Sequence, residues 1–230
     1  MSVGRQGAFR GFTPQTLRFL AEAHERNSRR WFEANRAVYE EHVLSPLRAL
    51  VVDLSATMGE IDRRFEMRPQ VGKTISRIFR DIRFSKDKSV FRDHMWIVFK
   101  RPSKEWTDRP GFFFEVGPDM YRFGMGYYSA TKATMDAIRA AIDRDPSRFL
   151  DAISFYPRQR AFVLGGEEYK RPPKGMPGPP LDQWYRRRTL HLICERAPDR
   201  RLYSPGLAAD LARSFGKLAP LYRYFIDLHG

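Results

Sequence analysis

The residues that read as core change their spacing along this chain, and that change limits the folds open to it. Between residues 14 and 58 they recur at helical intervals. Leu17, Leu20, Ala21 and His24 form one stripe, Trp31, Asn35, Val38 and His42 another, and Val43, Leu47, Leu50, Leu54 and Met58 a third. Thr13-Pro14 predicts the first helix start, a capping hydroxyl followed by a proline in the first turn. Asn27-Ser28 ends that helix and caps the next, and Ser45 before Pro46 is expected to cap the third. Met95 to Phe99, Phe112 to Val116 and Met120 to Met125 are rich in aromatic and β-branched residues and read as strands. Gly117-Pro118-Asp119 is the expected hairpin turn between the last two. Helical spacing returns from Thr131 to Ile142, with Ala133, Ala137, Ile138 and Ala141 expected inward, and again from Pro146 to Ile153. Thr189 to Glu195 alternates as a strand. Ser204-Pro205 opens a closing helix, which Pro220 is expected to break, with Leu221 to Leu228 resuming.

Helices, strands, helices, one strand and a last helix do not alternate as βαβ units would. The order predicts an α+β fold, a mainly antiparallel sheet packed against helices. At 230 residues, with no Gly/Ser linker, repeat or low-complexity tract, the chain reads as a single domain, 1–230. One composition break falls at 170–180, Lys-Arg-Pro-Pro-Lys-Gly-Met-Pro-Gly-Pro-Pro, expected to be an extended proline-rich surface loop.

Hydrophobic residues at 42% and aromatics at 14% are those of a folded protein. One cysteine excludes a disulfide scaffold and fits a reducing compartment. Cys194, within Leu-Ile-Cys, reads as a buried thiol. No apolar run reaches the ~18 residues of a membrane span, and the start carries no apolar leader. The expected location is cytoplasmic, without a membrane partner.

The net charge of +14 is unevenly spread. Residues 1–62 hold 8 basic and 8 acidic side chains, 63–109 hold 14 and 6, and 158–201 hold 11 and 5. The last two stretches carry the excess. If they meet they form a basic face suited to nucleic acid, nucleotides or another anionic surface; the alternative is dispersed, solvated charge.

Several familiar motifs fail. Gly72-Lys73-Thr74 lacks the earlier glycine of a phosphate loop, since Met67 occupies that position. Gly124-Met125-Gly126 lacks the third glycine of a dinucleotide fingerprint and reads as close packing against Tyr127 and Tyr128. His24, His42, His94, His191 and His229 are scattered, so no metal site and no cofactor is expected. Trp31-Phe32 reads as core aromatics rather than an exposed stacking platform.

One segment stands apart. Residues 77–92 carry six cations and two carboxylates, with Ile78, Phe79, Ile82 and Phe84 interleaved. A solvated charge run has no need of that apolar content, so part of the segment is held against a core and its charges need partners. Residues 75–91 fit a helix face and a strand face equally well. The candidate anion-binding residues are Arg77, Arg80, Asp81, Arg83, Lys86, Asp87 and Lys88. Guanidinium groups in fixed positions suit phosphate or carboxylate. Two rivals stand beside this reading: an Arg–Asp network that only ties elements together, and a catalytic role for Asp81 or Asp87. A carboxylate among arginines has a lowered pKa, which makes it a poor general acid. No catalytic residue is assigned.

Arg77, Arg80, Asp81, Arg83, Phe84, Ser85, Asp87 and Lys88 resemble the signature Arg-x-x-Arg-Asp-x-Arg-Phe-Ser-x-Asp-Lys-x-x-Tyr of a bacterial family, domain of unknown function 2461, a family of conserved hypothetical proteins. Phe91 departs from the tyrosine of that pattern. Phe9-x-Gly-Phe12, Asn27-x-x-x-Trp31-Phe32, Tyr39, Gly124-x-Gly126 and Ile138-Arg139 are similar too, so the resemblance spans about 9–228. It implies a single-domain soluble protein and supplies no cofactor, substrate or catalytic residue.

The expected partner is nucleic acid or a small anionic ligand, bound through Arg77–Arg92. The first alternative is an enzyme on a small phosphorylated or carboxylated substrate, clamped by Arg80 and Arg83. The second is a protein-interaction or scaffold domain using the proline-rich loop.

Overall fold

The computed structural model describes residues 8–81, 88–171 and 173–230. It is an α+β fold with a five-stranded antiparallel sheet. Helix α1 runs Pro14–Arg26, α2 Arg29–Ala34, α3 Arg36–Tyr39 and α4 Ser45–Ile61. Strand β1 is Met95–Phe99, β2 Pro110–Val116 and β3 Tyr121–Tyr127. Helices α5 (Lys132–Arg144) and α6 (Pro146–Ala152) precede β4 (Val163–Gly165), α7 (Asp182–Tyr185), β5 (His191–Arg196) and α8 (Gly206–Asp227). The sheet order is β1-β2-β3-β5-β4. β4 and β5 pair antiparallel, with Leu164 opposite Leu192.

The chain clusters into two compact units. The first comprises Met1–Phe99, Phe113–Phe123 and Glu195–Arg213; the second comprises Lys100–Phe112, Gly124–Cys194 and Ser214–Gly230. In the first unit α1 begins at Pro14, where the sequence predicts. The Thr13 N–H donates to the Thr16 hydroxyl at 3.1 Å, and that hydroxyl donates to the His42 carbonyl at 2.6 Å. Its end is Asn27 in the left-handed region, φ 45°, donating its N–H to the Ala23 carbonyl. Ser28 caps α2 by accepting from the Trp31 N–H. The Gly117 N–H closes the β2–β3 turn onto the Met120 carbonyl at 2.9 Å.

Ser45 does not cap α4. Residues Glu40–Leu44 form one π turn, and Leu44 and Ser45 stay in right-handed helical geometry. The wider turn admits Pro46, which has no N–H to offer, without interrupting the helix. Pro220 likewise does not break α8, which is continuous through it. Its missing hydrogen bond and ring clash cost about 3 kcal/mol. In the second unit Phe215, Leu218, Leu221, Tyr222 and Phe225 are almost fully buried on both sides of the proline. Each such side chain contributes about 1.5–3 kcal/mol of burial, which outweighs that cost.

Three further expectations need correction. Ala133 and Ala137 are exposed, while Ile138 and Ala141 are inward as expected, joined by Met135, Arg139 and Ile142. Two strands, not one, follow α6, because β4 has only three residues, too few to show alternation. The space that Gly124 and Gly126 leave open is filled by backbone of the β5 region rather than by tyrosine rings. A Cβ on Gly124 would overlap the Leu192 carbonyl, and one on Gly126 would come within 2.5 Å of His191 Cα and the Leu190 carbonyl oxygen. Cys194 is buried, as expected.

Candidate functional site

The described part of 75–91 is extended, which decides the helix-or-strand question for those residues. Thr74–Ser76 lies along β1: the Ser76 N–H donates to the Trp96 carbonyl, the Val98 N–H to the Thr74 carbonyl, and Ile75 bridges Ile97. Further on the chain doubles back. The Arg80 N–H donates to the Val90 carbonyl at 2.8 Å, the Arg92 N–H to the Ile78 carbonyl at 2.9 Å, and Phe79 bridges Phe91. Ile78 and Phe91 point into the core.

A cluster of aromatic rings underlies this segment. Phe32 of α2 lies 5.4 Å from Phe79 and 5.1 Å from Phe91, ring centre to ring centre, and Phe79 lies 5.1 Å from Phe91. Phe91 has no exposed surface, so its ring serves packing here. Phe32 is core, as expected, while Trp31 is half-buried against Phe19 at 5.4 Å.

Of the sequence candidates, Arg77, Asp81 and Lys88 are exposed and Arg80 is partly buried. Arg77 makes no ion pair among the described residues, and its guanidinium lies over Gly72. Arg80, Asp81 and Lys88 each have an interaction partner. Arg83, Lys86 and Asp87 lie outside the described residues. Arg80 lies in the short antiparallel pairing, and Lys88 lies two residues before Val90 of its other strand.

It also brings in residues that the sequence reading missed. The Val90 N–H donates to the Asn27 side-chain oxygen at 2.6 Å, and His24 Nδ1 meets the Phe91 carbonyl at 3.1 Å. The end of α1 therefore runs beside the signature segment. Arg26, Arg29 and Arg30 flank Asn27, all three exposed and none ion-paired among the described residues. Their stretch of sequence balances to zero charge, which hid them. The Arg-Asn-Ser-Arg-Arg run at the helix junction was the available signal.

Past the pairing, Arg92, His94 and Trp96 alternate with buried Phe91, Met95 and Ile97. The Arg92 guanidinium stands 4.7 Å over the Trp96 ring, and the His94 ring stacks on Trp96 at 5.6 Å. His94 Nδ1 and Asp93 Oδ1 are 2.5 Å apart. Burial pushes the Asp93 carboxyl up, but the His94 hydrogen bond and the His94 and His24 charges together hold it below its ordinary value.

The arginines of residues 158–201 present a different picture. Arg187 donates to the Gly166 carbonyl at 2.8 Å and the Gln183 carbonyl at 3.2 Å, and pairs with Glu168 at 3.2 Å. Arg188 pairs with Glu167 at 3.0 Å, and Arg186 pairs with Asp182 at 3.4 Å. Buried Arg139 donates to the carbonyls of Tyr185 and Arg187 and to Asp136. A surface recess here is lined by Glu167, Glu168, Tyr169, Lys170, Arg171 and Arg188, a mixture of both signs without any signature residue.

No group of three or more metal-binding side chains occurs among the described residues, and none of their helices is long and apolar enough to cross a membrane. No curated protein matches the chain. The family model of conserved hypothetical proteins called DUF2461 matches residues 15–224, nearly the whole length. The chain belongs to that family.

Proposed function

We propose that this protein binds phosphate-bearing anions on the face where the α1–α2 junction meets the signature segment. The Asn27–Val90 hydrogen bond carries the reading. Val90 is two residues from Lys88, and Asn27 is one residue from Arg26 and two from Arg29. At 3.8 Å per residue those side chains fall within reach of one ligand. Arg26, Arg29, Arg30 and Arg77 supply guanidinium forks, Arg80 and Lys88 border them, and Asp81 limits the density of positive charge. Fixed backbone under exposed guanidiniums is the arrangement that recognises phosphate oxygens. Arg83, Lys86 and Asp87 join the site only as sequence candidates.

The test is titration with an oligonucleotide and with inorganic polyphosphate across a salt series. The natural chain should bind with a steep inverse salt slope. Arg29→Ala/Arg30→Ala should lose affinity for both and flatten the slope by about 0.7–0.9 for each phosphate contact removed. Unchanged affinity in that folded variant would sink the reading.

A second reading, an enzyme on a small phosphorylated or carboxylated substrate, draws on the Asp93–His94 pair. The pair is partly exposed and directly follows the signature segment. A turnover assay that loses activity in a folded His94→Gln variant would favour it.

A further inference from the structure

The second unit carries an aromatic surface that no motif announced. Tyr128 is 78% exposed and Trp106 is 38% exposed, their ring centres 5.4 Å apart. Large aromatic side chains left in water in contact with each other are uncommon in a chain that buries most of its rings. This pair is also held firmly. Trp106 belongs to a single 3-10 turn, Trp106–Asp108, fastened to the chain after β3. The Ser129 N–H donates to the Thr107 carbonyl at 2.8 Å. Asp108 accepts from the Thr131 N–H at 2.7 Å, from the Thr131 hydroxyl at 3.0 Å and from the Thr134 hydroxyl at 2.8 Å. The two rings are thus presented on a fixed frame, with little ordering left to be done when a ligand arrives.

The charges around the rings leave lysine in excess. Asp108 keeps its negative charge but turns its carboxylate to the Thr131 and Thr134 donors. Glu105 pairs with Arg109 at 3.5 Å, and Arg109 also donates to the His229 carbonyl. Lys104 is exposed and has no ion pair among the described residues. The Lys100 ammonium stands 3.2 Å over the centre of the Trp106 ring and meets no carboxylate among the described residues. Burial holds its pKa down to about 8, the mark of a cation that has lost water without gaining a counter-charge. An anion placed beside Trp106 would supply that charge.

A planar group that stacks and carries a negative charge one bond sequence away describes a nucleotide unit. The geometry points to Trp106 and Tyr128 as a stacking platform for an unpaired base of single-stranded nucleic acid, with Lys100 and Lys104 taking the neighbouring phosphates. Any base offers a ring face to such a platform, so the site selects unpaired bases without reading sequence. A duplex hides its ring faces and is a poor ligand for it. This inference does not rest on the arginine face of the first unit.

The experiment compares three probes: oligodeoxythymidylate, an abasic oligonucleotide of equal length, and inorganic polyphosphate. The natural chain should bind the thymidylate about tenfold or more tighter than the abasic chain. Tyr128→Ala and Trp106→Ala should each remove most of that difference and leave polyphosphate affinity unchanged. Tyr128 is so exposed that its variant should fold normally, which circular dichroism checks. Lys100→Gln should weaken both oligonucleotides, and Lys100→Arg should restore them. Equal affinity for thymidylate and abasic chains would overturn the platform, as would natural affinity in the folded Tyr128→Ala variant, or no oligonucleotide binding at all. Polyphosphate binding that depends on Arg29 and Arg30 but shows no base dependence would sink the platform and keep the arginine face. Base-dependent binding without polyphosphate binding would do the reverse.

Discussion

Arg29 and Arg30 in the first unit and Arg139 and Arg187 in the second are the same side chain in opposite circumstances. Arg139 is 7% exposed and spends its donors on two carbonyls and Asp136. Arg187 spends its own on two carbonyls and Glu168. Arg29 and Arg30 stand in solvent, unpaired among the described residues. A count of charges ranks Arg187 above Arg29 and Arg30, because residues 158–201 hold 11 basic against 5 acidic side chains while residues 1–62 balance to zero. Pairing ranks the first group higher. An arginine that already serves as the hydrogen-bond donor for a buried carbonyl is not free to take up a phosphate. What matters for binding is the charge left over after the fold has used what it needs.

The comparison can be broken in several ways. The largest effect should come from the rings beneath the first group. Phe32→Ala empties a space between Phe79, Phe91 and Tyr39 and should cost about 3–5 kcal/mol in urea unfolding. A much smaller loss would mean that the arginine face has no fixed floor. Next comes Arg139→Met, which leaves the Tyr185 and Arg187 carbonyls without their donor. It should cost about 2–3 kcal/mol while polyphosphate binding stays unchanged. Arg29→Ala/Arg30→Ala is the mirror image: an unfolding midpoint near that of the natural chain, and polyphosphate affinity lowered about tenfold. Stability and binding effects that failed to separate between these two variants would erase the distinction.

The smallest effect is a pH dependence. Lys100 has a folded pKa of about 8, below the ordinary lysine value of 10.5. Between those values the unfolded chain binds more protons there than the folded chain, so stability rises with pH across that window. The gain is complete above the ordinary value and is lost as pH falls through the folded one. Lys100→Gln should flatten the rise, read as urea midpoints at neutral and alkaline pH. An unchanged pH profile would show that Lys100 is better solvated than its place over Trp106 implies.

Much of the fold was legible because local chemistry and tertiary packing agree. Thr13-Pro14, Ser28, the hairpin turn at Gly117 and the aromatic strands all needed only neighbours in sequence. The misreadings occur where distant contacts decide. Pro220 stays helical because buried residues on both sides hold it, and Ser45 is no cap because a π turn carries the chain past Pro46. The segment at 75–81 has spacing that suits two periods; its partners, β1 and residues 90–92, choose the extended form. The candidate site was half visible. The signature drew attention to Arg77 through Lys88, but Arg26, Arg29 and Arg30 are more than fifty residues away in sequence from Val90, and long-range contacts such as Asn27–Val90 and His24–Phe91 join them. Trp106 and Tyr128 could not be found at all, since nothing in a sequence says that an aromatic ring faces water.

Gly124 and Gly126 carry one more implication. Because β5-region backbone occupies the space where a Cβ would stand, even alanine at either position must displace main chain, which cannot rotate away as a side chain can. In a survey of all single substitutions these two positions should reject every alternative, while the exposed arginines tolerate most. Ranked by intolerance, the glycines would look like the heart of the protein and the arginines like ornament. A mutational map of this chain scored on abundance would therefore trace a gauge for strand spacing, and only a map scored on ligand capture would reveal the chemistry.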